Sequence, residues 1–380
     1  MPSSLIPDVL LLLGFMLVPG AGTCFASRVA LGRSHLTFLA MSFGMGFAVV
    51  ALTSFTLVLL RGFEPGSVVA SWVGVSAVAW TIAIRRGRIR RHVRYWKQLV
   101  AADPAAAIGS TLVLIGVAAA RWTLAPVTNI ASTVLRYWAD ALEIADTGGI
   151  PHDTLQWNTL LEPITNKMVL NSFNGSVSFL FGREPLEPLA TLLFVVTMGL
   201  VITSMALFWE LGIRRLAPVG ALLLFANQVM GSELTEDLGR NLAEDWGRLV
   251  AFAAVLAGVV ALRRGRGPDE AADVEVEARG SPERTWHPAT IAAGVLLGTA
   301  AGTHLVAASF GAACIVALVV ASIVVRSELR RHVVRLAVVL GVATVLGGMV
   351  LTLPPGDLGL KGAVGSADYR HLLSELGLPS

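Results

Sequence analysis

The chain has 380 residues, of which 54% are hydrophobic and only 14% charged, and its mean hydropathy is +0.70. Soluble domains carry about a quarter of charged residues, so a soluble globular fold is excluded. A net charge of +3 and a pI near 9.2 would point to nucleic acid in a soluble protein, but here the surplus Lys and Arg have a simpler use at cytoplasmic helix ends, and nucleic-acid binding is set aside.

The composition predicts an all-α, polytopic helical membrane protein. Ten apolar runs are long enough to cross a hydrocarbon core of about 30 Å as helices. They lie near 5–25, 36–60, 67–84, 105–124, 188–210, 214–230, 248–263, 288–304, 306–325 and 333–353. The first run lacks the basic segment of a cleavable signal and is expected to stay as a span. Pro19–Gly20 near its end reads as a kink or close-packing device. Cys24 and Cys314 fall inside apolar runs and read as small buried hydrophobes, not as a disulfide or metal pair.

Loop charge sets the expected orientation. Arg28 and Arg33 follow the first span, and "RRGRIRRHVRYWK", with seven Lys or Arg, follows the third. "GIRRLAP", "LRRGRG" and "RSELRRH" follow the fifth, seventh and ninth. Every odd-numbered loop is basic, which places all five in the cytoplasm, with the N-terminus outside a plasma (inner) membrane. The even loops agree, since 121–187 holds seven acids against four basic residues and 231–248 holds five against two. The expected organisation is one transmembrane domain over 1–380. Residues 1–104 form an N-terminal three-span extension, and 105–263 form a core with external loops 121–187 and 231–248. A polar cytoplasmic linker follows at 264–287, then three further spans at 288–353 and an external tail at 354–380.

The stretch "RYWADALEIADTGGIPHDTLQW", 136–157, stands out in this apolar chain. From Asn129 to Asp146 the residues Ile130, Val134, Trp138, Ala141, Leu142 and Ala145 repeat at three and four, which predicts an amphipathic helix lying in the outer interface. Arg136, Asp140 and Glu143 share the opposite stripe, and Asp146 is rotated away. Gly148–Gly149 and Pro151 end the helix. The plain reading of the stripe is a solvated face with an Arg136–Asp140 pair. The functional reading is a stripe facing a cavity between helices, where a carboxylate acts as a general base or holds a metal. The remaining loop, dense in Pro, Trp, Asn and His, leads into a second amphipathic stretch, "VLNSFNGSVSFLFG", and is too long and aromatic for a plain connector. A second acidic helix, "ELTEDLGRNLAEDWGRL", brings Glu233, Glu236, Asp237, Glu244 and Asp245 to the same side.

In its pattern the chain resembles the GT-C class of integral membrane glycosyltransferases, which use polyprenyl-phosphate sugars. "RYWADALEIADTGGIP" looks like the element that opens their first large external loop, and "GVLLGTAAGTHLVAASFG", carrying His304, looks like their later spans. The resemblance covers roughly 105–325. It implies inverting transfer of a sugar from a polyprenyl-phosphate donor to a glycan, lipid or protein acceptor at the outer leaflet. Asp140 is then the base, with Asp146 in reserve. Arg136, Lys167, Arg240 and Arg248 are candidate phosphate partners. Glu143 shares the stripe, Glu244 and Asp245 are candidates to orient the acceptor or coordinate a divalent cation, and His304 is a secondary candidate. Two departures stand out: "LAPVTNIAST", 124–133, has no acid where the class usually places one, and three spans precede the first core span. The competing readings are a multi-span transporter or lipid flippase, and a non-catalytic scaffold for envelope assembly.

Overall fold

The computed structural model describes residues 5–29, 34–86, 89, 93, 104–123, 132–149, 167–183, 188–232, 242–262, 288–326 and 329–352. Among them the chain is all-helical. The helices in order are α1 (Leu5–Ser27), α2 (His35–Leu59), α3 (Pro65–Arg85), α4 (Pro104–Thr123), α5 (Ser132–Thr147) and α6 (Met168–Phe181). Then come α7 (Leu189–Glu210), α8 (Ala217–Ser232), α9 (Leu242–Leu262), α10 (Pro288–Thr303), α11 (Leu305–Arg326) and α12 (Leu329–Thr352). The linker 264–287 and the tail 354–380 lie outside the described residues.

Seven helices among the described residues, α1, α2, α3, α4, α7, α9 and α11, are long and apolar enough to cross a membrane. The three other runs read as spans in the sequence give shorter or less uniform helices. Run 214–230 opens with a 3-10 turn at Arg214–Leu216 and continues as the 16-residue α8. The 16-residue α10 rises only about 24 Å. α12 begins with the basic turn "LRRHVVR", and its apolar part is Val333–Gly347.

α2, α7 and α9 form the centre, and most of their side chains are buried. α1 and α3 pack on one flank of α2, α4 and α8 on α7, α10 and α11 on α9, and α12 on α10 and α11. The outer helices expose aliphatic side chains such as Val69, Val78, Ile108, Leu112, Val306 and Val320. In water such a surface would aggregate, whereas in lipid it is the expected solvent-facing side.

Backbone accounting explains how α1 tolerates Pro19. Proline has no N–H, so the carbonyl of Phe15, four residues earlier, loses its helical donor. Trp72 of α3 supplies the substitute, its Nε1–H donating to Phe15 O at 2.8 Å, and Trp80 Nε1 donates to Val18 O at 2.9 Å. Next to the proline, α1 and α2 touch backbone to backbone. A Cβ on Gly20 would lie 2.0 Å from Ser42 O, and one on Gly46 2.1 Å from Met16 O. Pro19–Gly20 is thus both a break in the ladder and a close-packing point. Trp72→Phe should lower stability by about 1–3 kcal/mol by orphaning the Phe15 carbonyl, and Trp80→Phe by less because its bond is exposed; thermal unfolding of the purified protein in lipid nanodiscs measures both.

Candidate functional site

α5 forms where the three-and-four periodicity places it, and its C-terminus is closed by Gly148, whose φ of +66° suits glycine. Trp138, Ala141 and Ile144 are buried, and Leu142 and Ala145 are half-buried. Asp140, on the supposedly polar stripe, is buried as well, whereas Glu143 is half-buried and Asp146 exposed. The cause is α6, which packs on α5. Its sequence has the look of a two-faced surface helix, yet every side chain from Met168 to Ser178 is buried, because α6 is enclosed by α2, α3, α5 and α10.

A polar helix inside an apolar bundle has to satisfy its own groups. Ser172 and Ser176 do so by donating to the carbonyls one turn back, at 2.7 and 3.1 Å. The amide of Asn171 instead reaches α5, its Nδ2–H donating to Asp140 Oδ2 at 2.9 Å. One turn beyond, Asn174 Oδ1 is buried with no hydrogen-bond partner among the described residues, as are the Nε1 atoms of Trp138 and Trp246.

Lys167 caps the start of α6 in a left-handed conformation, φ +46°, which is strained for a side-chain-bearing residue. One turn separates it from Asn171. The first two turns of α9 carry Glu244, Asp245 and Arg248. Arg248 pairs with Glu244 and sits 3.7 Å from Asp245, which is buried. His304 is the single residue between α10 and α11. Gly247 makes room for it, since a Cβ there would lie 2.5 Å from His304 Cβ.

The His304 ring caps α11, its Nδ1 accepting from the Ala307 N–H at 3.3 Å, which leaves the proton of the neutral ring on Nε2. Burial holds its pKa below the ordinary value of 6.5; Lys167 adds to that, Glu244 opposes it and Arg248 adds again. Lys167, Glu244, Arg248 and His304 are therefore electrostatic neighbours. Lys167 in turn caps the helix whose next turn carries Asn171, the donor to Asp140.

Of the residues singled out in the sequence, Asp140, Lys167, Glu244, Asp245, Arg248 and His304 belong to this group of elements, and Asp146 lies apart at the exposed end of α5. Only the backbone of Arg136 is described, and Arg240 lies outside the described residues. Asn171, Asn174, Trp246 and Gly247 were missed. The usable signal for the first two was "NSFN", a pair of amides at i and i+3 in an otherwise apolar helix. An open apolar groove of about 720 Å³ between α1, α2 and α3 shares no residue with the cluster. Among the described residues no group of three His, Cys, Asp or Glu could hold a metal ion.

No family model, curated protein or solved structure matches this chain.

The site must then be read from its own chemistry: a buried carboxylate with an amide donor from α6, and at the head of α6 a cation in electrostatic reach of His304, Glu244 and Arg248. Asn171→Leu should cost about 1–3 kcal/mol by removing a buried donor from the Asp140 carboxylate, and Asp140→Leu in the same background should recover part of it. A double-mutant cycle on chemical unfolding measures the coupling.

Proposed function

We propose that this chain is a membrane glycosyltransferase of the GT-C kind, which transfers a sugar from a polyprenyl-phosphate donor to a cell-envelope acceptor at the outer leaflet of the plasma membrane. The observation that carries the reading is the Asp140–Asn171 pair. It is a buried carboxylate that accepts from an amide of α6, the helix capped by the cation Lys167. The amide that holds the base lies one helical turn from that cation, which suits a reaction that takes a proton at one end and releases a phosphate at the other.

In the proposed chemistry the acceptor hydroxyl gives its proton to Asp140 as its oxygen attacks the anomeric carbon. The bond from that carbon to the phosphate oxygen breaks with inversion, and the electron pair leaves with the polyprenyl phosphate. Lys167, Arg248 and the Nε2–H of His304 stabilise the charge that develops on the leaving oxygen. Glu244 and Asp245 hold Arg248 in place and keep that end of α9 from binding anions indiscriminately. Asn174 Oδ1, buried and without a hydrogen-bond partner among the described residues, is an acceptor suited to a sugar hydroxyl.

The basic odd-numbered loops support an external location for this end of the bundle. The sequence resemblance of "RYWADALEIADTGGIP" supports the class of reaction. The apolar outer helices support a lipid-borne donor, because a prenyl chain can stay in the bilayer while its phosphate reaches the site.

Protein reconstituted in liposomes with polyprenyl-phosphate sugars and envelope lipid acceptors tests the reading. Asp140→Asn should lower the transfer rate by at least about 10²-fold with the donor KM little changed. Equal transfer by both proteins would remove Asp140 as base, and no transfer from any donor would favour a transporter.

A further inference from the structure

α5 carries the proposed base but has few points of attachment to the bundle besides α6, so something has to fix where Asp140 stands relative to α9 and α10. Phe63 is placed to do it. It lies in the short turn between α2 and α3, a position where an aromatic ring would ordinarily be left at the surface, yet it is fully buried. Its backbone N–H donates to Gly148 O, at the end of α5, at 3.2 Å. Its ring lies against α6, 5.1 Å from that of Phe179, and where a Cβ on Gly175 would come within 3.1 Å of it. Gly175 also faces Ala141, the residue after Asp140. A single residue thus touches both helices of the Asp140–Asn171 pair, its ring on α6 and its backbone on α5.

The N-terminal three helices hold α6 at three more places. Ser54 and Ser176 share a hydrogen bond of 2.5 Å, Phe47 packs on Phe173 at 4.8 Å, and Asp8 of α1 pairs with Arg183 at 3.0 Å. None of these touches α5. We propose that Phe63 is a positioning residue that clasps α5 to α6 and sets the depth and angle of the Asp140 carboxylate. The N-terminal three-helix unit is, on this view, the seat of the reacting layer and not an appendage. The inference rests on the reading of Asp140 as the base.

The closing experiment has two independent arms on the full chain in nanodiscs. Hydrogen exchange followed by mass spectrometry reads α5 directly. In Phe63→Ala the amides of 132–149 should exchange about tenfold faster while those of α9 and α10 keep their rates. Phe25→Ala is the control. It opens a comparable cavity beside Phe38 and Trp80 at the opposite end of α2, and should leave α5 unaffected.

In the activity arm, with a polyprenyl-phosphate sugar, Phe63→Ala should lower kcat by roughly 10- to 100-fold with donor KM within about threefold, because misplaced groups lose rate before they lose binding. Phe63→Leu should restore most of both readouts, and it decides the question if the alanine variant fails to fold. Unchanged α5 exchange in both variants, equal loosening by Phe25→Ala, or selective loosening with kcat intact would each overturn the proposal. A wild type that transfers no sugar would defeat the reading of Asp140, while the exchange arm would still decide whether Phe63 holds α5.

Discussion

Three aromatic rings hold the structure's most unusual element in place. Phe47 of α2, Phe173 of α6 and Trp246 of α9 pack with centroids 4.8 to 5.1 Å apart, and all three are fully buried. They pin α6, a short helix with two asparagines and three serines, into a bundle that offers almost no polar partners. Everything else at the site follows from that burial. Asn171 has to find an acceptor and finds Asp140; Asp140 is withdrawn from water; and Lys167, at the head of α6, is brought within electrostatic reach of His304. Were α6 on the surface, the same residues would be solvated singly and carry no joint chemistry.

The opposing costs are balanced locally. A buried carboxylate is expensive unless its lone pairs are satisfied, and an amide donor is a smaller compensation than a full countercharge. Arg248 shows the other solution, one guanidinium serving Glu244 and the buried Asp245 on the same helix face. Asp245 is committed to Arg248 on its own helix, whereas Asp140 is tied to the amide of a second helix; on the proposed reading the proton goes to Asp140.

Much of this was legible in the sequence, and the limits have physical causes. The all-helical membrane fold follows from run length and composition. The bounds of α5 follow from the spacing of Trp138, Ala141 and Ala145 and from the Gly148–Gly149 stop. Of the ten apolar runs, seven give described helices long and apolar enough to span by length and composition, while α8, α10 and α12 are shorter or begin with polar turns. Periodicity left open whether the Asp140 stripe meets water or other helices. Asp140 is buried beside α6, and a contact between residues 140 and 171 leaves no local trace. Phe63 was invisible for the same reason. In "LRGFEPG" it looks like an interfacial anchor, and only the absence of side chains at Gly148 and Gly175 reveals that space was kept for it.

The account stands or falls on whether a lipid phosphate sits between the cations and Asp140. The most direct measurement is a cryo-EM structure of the protein in nanodiscs with an unreactive phosphonate analogue of a polyprenyl-phosphate sugar. The account predicts phosphonate density within hydrogen-bond reach of Lys167, Arg248 or His304, with the sugar turned toward Asp140. Density lodged among the midplane side chains of α2, α7 and α9, or at the opposite end of the bundle near Glu210, would contradict it.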